Sequence, residues 1–109
     1  MTTYRAAFEL ADAVLFNVGS YLLYRSIADA EPRIWWPRFA LGLTFGACNT
    51  FLFARALKVL PLSVAYPAFT GASFAFITLA AAMAFHERLS PTHGLGIGFV
   101  LVGILLVTK

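Results

Sequence analysis

The sequence predicts an all-α integral membrane protein with four transmembrane helices, and three observations carry that prediction. Hydrophobic residues make up 61% of the chain and charged residues only 12%, about half the charged share of an ordinary soluble domain. Mean hydropathy is +0.81. The apolar residues fall in four runs, each near the roughly 20 residues that a helix needs to cross a ~30 Å hydrocarbon core. The runs lie at about 6–24, 39–60, 61–85 and 90–108 of the 109 residues, and together they read as one four-helix domain, 1–109. Only short connections remain, and no polar helix faces are left to meet water, which excludes a soluble protein with buried helices.

The first run follows MTTYR, a weakly basic start, but Glu9 and Asp12 come at once and no small-residue cleavage site closes it. It therefore reads as a retained span rather than a signal peptide. The connection that follows, SIADAEPRIWWP at 26–37, is the longest. Pro32 and Pro37 are expected to break helix there, and Trp35 and Trp36 beside Arg33 and Arg38 suit an interfacial aromatic belt. The second run is interrupted only by Arg55 and Lys58 near its end. Pro61, in LKVLPLS, suits the first turn of a third helix. The third run carries no charge. In HERLSPTH, Ser90 is placed to cap a fourth helix with Pro91 as its first residue.

Function classes narrow quickly. The net charge of +3 comes from scattered bases with no basic run, so nucleic acid is not an expected partner. Cys48 is alone and lies inside a span, where a small buried side chain is the natural reading. His86, Glu87 and His93 lack a further ligand and read as loop residues, not a metal site. No nucleophile–base pair is legible either, so neither enzymatic chemistry nor a cofactor is expected. With four spans the bases divide evenly. Arg5, Arg55, Lys58 and Lys109 fall on one side of the membrane, and Arg25, Arg33, Arg38 and Arg88 on the other. The positive-inside rule then sets no orientation, which fits a chain that inserts both ways and pairs antiparallel, or one oriented by a partner.

The polar residues inside the spans are the candidates for function. At about 100° per residue, Asn17, Tyr21 and Tyr24 share a stripe of the first helix, extended by Ala13 and Leu10, with Ser20 at its edge. Asp12 lies about 140° from Asn17 and Glu9 about 80°. Both carboxylates are near the helix start, where they are solvated at the headgroups or pair with a base; Glu9 in particular reads as solvated. Ionisable groups in a span are nonetheless functional candidates, so Glu9 and Asp12 are kept as a proton or cation site. Asn49 on the second helix is the natural partner of Asn17, either as a staple or beside a substrate path.

On the third helix Tyr66, Phe69, Thr70 and Ser73 share one face and Ala68, Gly71 and Ala75 the opposite one. Pro67 frees the carbonyl of Ser63 and Gly71 follows one turn later, so a kink is expected there. An aromatic and hydroxyl face, a small-residue face and a weakened backbone suit a helix that lines a chamber and flexes. The second helix has Gly42 and Gly46 at GxxxG spacing. On the fourth, Gly96 and Gly103 fall seven apart on one face and suit close helix approach in a dimer. Four short helices enclose little volume, so a second copy or a related subunit is expected to complete any polar path.

These stretches resemble the small multidrug resistance proteins of the drug/metabolite transporter superfamily. ALKVLPLSVAYPAFTGASF is similar to that family's junction of helices 2 and 3, and ERLSPTHGLGIGFVLVGILLV to its last loop and helix. The resemblance implies an EmrE-like four-helix protein of the bacterial inner membrane, multi-pass and functional as a dimer. It implies a binding chamber at Tyr66 and Phe69, a kink around Gly71 to Ser73 and dimer contacts at Gly96 and Gly103. Together with the helix faces read above, the expected substrate-lining set is Asn17, Tyr21, Tyr66, Phe69, Thr70 and Ser73, with the helix kink at Pro67 and Gly71. Asn17 falls where the family's proton-coupled drug exporters carry a glutamate, and an amide exchanges no proton. Tyr66-Pro67, His86-Glu87, Ser90-Pro91 and His93 match instead the wording of the paired small subunits proposed to flip aminoarabinose-phosphoundecaprenol. The expected function is translocation of a lipid-linked or amphipathic substrate, by a homodimer, antiparallel with dual topology, or by a heterodimer. The alternatives are proton-coupled export of cations through Asp12 or Glu9, and a non-transporting scaffold subunit.

Overall fold

The computed structural model describes residues 2–107 and consists of four helices: α1, Thr3–Ser26; α2, Pro32–Ala56; α3, Leu62–Ala84; and α4, Pro91–Val107. No strand occurs among the described residues. The first three helices are long and apolar enough to cross a membrane. The fourth has 17 described residues, at the lower end of the spanning range; its expected last residue, Thr108, lies outside the described ones.

α1 starts where Thr2 accepts a side-chain hydrogen bond from the Arg5 amide at 3.2 Å, which satisfies one of the free N–H groups of a first turn. It ends two residues later than expected, at Ser26, whose hydroxyl donates to the Leu23 carbonyl at 2.7 Å. Ile27 follows, 1% exposed, and pins the short turn to the bundle. The 26–37 connection was expected to be the longest loop; that reading is corrected. α2 begins at Pro32, and Pro37 lies within it. Proline is tolerated at a first helical position because the missing N–H has no partner there anyway. Pro37, one turn further on, does leave the Arg33 carbonyl without its helical donor, but both residues are exposed and polar surroundings can satisfy that carbonyl. Trp35 and Phe39, four apart on the new turns, stack at 4.6 Å.

α2 also ends early, at Ala56 instead of 60; residues 57–59 form a turn closed by Lys58 and Val59 amides on the Arg55 and Ala56 carbonyls. Pro61 stands just ahead of α3, in the capping position, and not in its first turn. α3 closes at Phe85, and His86 adopts φ 55, the left-handed conformation that commonly ends helices. The Ser90 hydroxyl accepts from the His93 amide at 3.1 Å, so the expected cap of α4 is present, with Pro91 first in the helix.

α1 packs against both α2 and α3, and α4 packs on α3. The small-residue face of α3 makes the second contact: a methyl group at Gly71 would come 2.4 Å from Ile104 and 3.1 Å from Val100. Ala65, Gly71 and Ala75 are buried. The assembly of helices is flat, 45 × 35 × 16 Å. Much of its apolar surface, including Phe74, Phe76, Phe99, Leu101 and Val102, is exposed.

Candidate functional site

The polar stripe of α1 meets α2. Asn49 Nδ2 donates to Asn17 Oδ1 at 3.4 Å, between two half-buried side chains. One turn on, the buried Ser20 hydroxyl donates to the Gly42 carbonyl at 3.0 Å. Another turn on, the Tyr24 ring lies over Gly42, so close that a methyl group there would sit 2.4 Å from the ring. Phe16 and Phe45 add an edge contact at 5.8 Å. The stripe is thus a helix–helix seam in which small residues, an amide pair and one hydroxyl let two backbones approach. Tyr21 stands at its rim, 53% exposed, with its ring centre 5.8 Å from that of Tyr24 in an edge-to-face contact.

The two carboxylates of α1 part company. Glu9, expected to be solvated, is instead held by Arg55 of α2: Nε to Oε1 is 3.0 Å, and the Glu9 side chain is 18% exposed. Its other oxygen, Oε2, is buried and has no hydrogen-bond partner among the described residues. The guanidinium of Arg55 also lies 5.8 Å from the Phe51 ring centre. Sequence alone hides this pair because its members are 46 residues apart. Asp12 is exposed and lines an open groove of about 370 Å3 with Leu15, Phe16 and Phe45. Among the described residues it has no ion-pair partner. At the far end of α1, Arg25 bonds Glu87 at 3.2 Å and covers the Phe85 ring, clipping the α3–α4 connection to α1.

The α3 residues gather around a side chain the sequence did not single out. Phe53 of α2 meets Phe69 at 5.2 Å and Tyr66 at 6.4 Å between ring centres. It lies one turn beyond Asn49, so a single face of α2 carries the amide toward α1 and the aromatic ring toward α3. That four-residue spacing was the available signal. Tyr66 is 58% exposed. With Leu62, Ser63 and Pro67 it borders an open groove of about 640 Å3. With Pro67, Thr70 and Gly71 it borders a second, of about 440 Å3, closed on the other side by Val100, Gly103, Ile104 and Val107 of α4. Thr70 is exposed; Ser73 is buried, and its hydroxyl has no hydrogen-bond partner among the described residues. The structure therefore brings Tyr66 and Phe69 together and joins Asn17 to Asn49, while Ser73 turns away from the open grooves. On α4, a methyl group at Gly96 or Gly103 would meet nothing within 4 Å among the described residues; those residues make no close packing against these glycines.

Comparison with known proteins gives this arrangement a lineage. The chain is 38% identical over 98 residues (87% of this chain and 89% of the relative) to an Enterobacter sp. (strain 638) protein named "Probable 4-amino-4-deoxy-L-arabinose-phosphoundecaprenol flippase subunit ArnE". A protein of the same name from Hamiltonella defensa subsp. Acyrthosiphon pisum (strain 5AT) is 36% identical over 84 residues, 77% of this chain and 72% of the relative. "Uncharacterized protein y4nH" of Sinorhizobium fredii (strain NBRC 101917 / NGR234) is 38% identical over 73 residues, 67% of this chain and 62% of the relative. The resemblance to the drug/metabolite transporters, and within them to the flippase subunits, is upheld. The family described as EamA-like transporters matches residues 2–109, and this small multi-pass membrane protein belongs to the EamA-like transporter family.

Proposed function

We propose that the chain is one subunit of a bacterial inner-membrane flippase that moves a lipid-linked, amphipathic substrate, working as a dimer with a second copy or with a related small subunit. The observation that carries this reading is the 38% identity across nearly the full length of a relative named as such a subunit. Three features of the chain support it. The stripe where a helix 1 carboxylate would serve a proton-coupled exporter holds a neutral amide, Asn17, already bonded to Asn49. The grooves beside Tyr66 are open and almost wholly apolar in lining, as a polyprenyl chain requires. The flat bundle leaves the headgroup path to be walled by another subunit.

The test is reconstitution into liposomes that carry 4-amino-4-deoxy-L-arabinose-phosphoundecaprenol in one leaflet, with the chain alone and with its small-subunit partner. A membrane-impermeant amine-reactive label reads how much lipid has crossed. Crossing faster than in protein-free liposomes is expected in one of the two settings; no acceleration in either sinks the proposal. A second reading, cation export through Asp12, draws on the exposure of that carboxylate, which has no ion-pair partner among the described residues. Proton-driven uptake of a quaternary ammonium that Asp12→Asn abolishes would select it.

A further inference from the structure

We propose that Arg55 binds the phosphate of the substrate lipid at the membrane boundary and that Glu9 is its positioning residue; this rests on the flippase reading above. Glu9 and Arg25 both belong to α1 and stand sixteen residues apart, or about 24 Å along the axis, close to the thickness of a hydrocarbon core. The two ion pairs, Arg55–Glu9 and Arg25–Glu87, therefore mark opposite boundaries, the depth at which lipid phosphates lie.

The pairs differ in a way that separates a clip from a site. Arg25 and Glu87 are 53% and 44% exposed, so both charges stay hydrated and the bond merely fastens a loop. Glu9 is 18% exposed, with one oxygen buried and without a donor among the described residues. Burying a carboxylate with an unsatisfied oxygen is a poor way to stabilise a fold. What the contact does achieve is aim. Glu9 takes the Nε edge of the guanidinium at 3.0 Å and the guanidinium carbon stands over the Phe51 ring, 5.8 Å from its centre, while 42% of the Arg55 side chain remains exposed. A planar group fixed at one edge presents its other donors in a fork that matches two phosphate oxygens.

The surroundings favour an anion with an apolar chain. Arg5 lies one turn before Glu9 and Lys58 three residues past Arg55, both exposed. Counted with Arg55, these bases outnumber Glu9 and Asp12 three to two, which leaves a net positive charge at this end of the molecule. The about 640 Å3 groove of Leu62, Ser63, Tyr66 and Pro67 opens directly after the α2–α3 turn, at the same end. Phosphate is the shared chemistry; a lipid headgroup and free inorganic phosphate are its two sources.

The test uses the full chain purified in detergent, with undecaprenyl phosphate, undecaprenol and inorganic phosphate as probes in equilibrium binding. The wild-type chain is expected to prefer undecaprenyl phosphate over undecaprenol by tenfold or more, the worth of a charge-assisted hydrogen bond. Arg55→Gln should remove the preference and Arg55→Lys retain part of it. Glu9→Gln should lower the preference severalfold with undecaprenol binding unchanged, an outcome that general loss of structure would not give. Should Arg55→Gln misfold, the exchange Glu9→Arg with Arg55→Glu keeps an ion pair and is expected to fold with the preference lost. A preference that survives in Arg55→Gln or in the exchanged chain overturns the site and leaves the flippase reading standing. Displacement of the lipid by millimolar inorganic phosphate overturns the headgroup assignment in favour of a free-anion site. A wild-type chain that moves the lipid in liposomes yet shows no preference refutes this proposal alone; one that neither binds nor moves it refutes the flippase reading first.

Discussion

Gly42→Ala should loosen the α1–α2 seam by about 1–3 kcal/mol, the usual cost of overpacking, and the structure says why. A methyl group at Gly42 would lie 2.4 Å from Tyr24 Cε1 and 3.1 Å from both Cδ1 and Cζ. Restoring van der Waals distance requires a shift of more than about 1 Å. The ring has little room to give it, with Phe39 at 5.5 Å and Tyr21 at 5.8 Å between centres. Nor can α2 retreat freely, because the Gly42 carbonyl accepts from the buried Ser20 hydroxyl at 3.0 Å, a bond worth about 1 kcal/mol. Alanine regains up to about 1 kcal/mol of helix propensity, which offsets only part of the clash. Gly46 is the built-in control. It belongs to the same GxxxG, yet a methyl group there meets nothing within 4 Å, so Gly46→Ala should be neutral or slightly stabilising.

The assay is unfolding in mixed detergent micelles, followed by circular dichroism, for both variants and for each in a Tyr24→Ala background. Removing the ring removes the clash, so the cost of Gly42→Ala should fall by at least about 1 kcal/mol there, a coupling of the size expected between touching residues. If Gly42→Ala costs no more than Gly46→Ala, or costs the same with and without the Tyr24 ring, the close-approach account of this seam is wrong.

Three further outcomes are expected. In a cycle of Asn17→Ala and Asn49→Ala, the single losses should overlap, with a coupling of about 0.6–1 kcal/mol as for interhelical polar contacts in membranes; additive losses measured by the same unfolding assay would show that the 3.4 Å amide contact is idle. His86→Gly should raise stability by up to about 1 kcal/mol, because φ 55 suits glycine better than a residue with a side chain, and thermal melts in detergent against His86→Ala will check it. Glu87→Gln should shift the melting midpoint by the equivalent of less than about 0.5 kcal/mol, with the effect vanishing in high salt, since the Arg25–Glu87 pair is about half exposed on both sides.

The helices themselves were legible because spanning length and capping chemistry are local. Ser90 with Pro91 placed the start of α4, and the α1 stripe was drawn correctly as a stripe. One neighbour was legible, Asn49 opposite Asn17; the rest of what the stripe faces was not, since periodicity gives the orientation of a face and not its neighbour. The start of α2 departs from the sequence expectation for a specific reason: Pro32 and Pro37 read as helix breakers, although a proline in the opening turns of a helix removes few bonds that the helix needs. The Glu9–Arg55 pair and the role of Phe53 depend on which helices become adjacent. Gly42 and Gly46 make the same point, for one motif yields a packed glycine and an open one.

The flatness of the bundle bears most directly on transport. A layer 16 Å thick cannot by itself surround the headgroup of the lipid-linked substrate proposed above, and its grooves open to the side, beside Tyr66 and Pro67. A polar headgroup crossing along such a surface would meet lipid on one flank, where desolvation is costly. A second subunit laid against that surface removes the cost by supplying the missing wall. The side of α4 bearing Gly96 and Gly103 is well suited to receive it, because the chain packs nothing within 4 Å of where a methyl group at either position would stand and small residues let helices approach across a membrane interface. The amide seam at Asn17 and Asn49 would then serve transport indirectly, by holding α1 and α2 as one rigid unit against which α3, weakened at Pro67 where the Ser63 carbonyl loses its donor, can bend as the substrate passes.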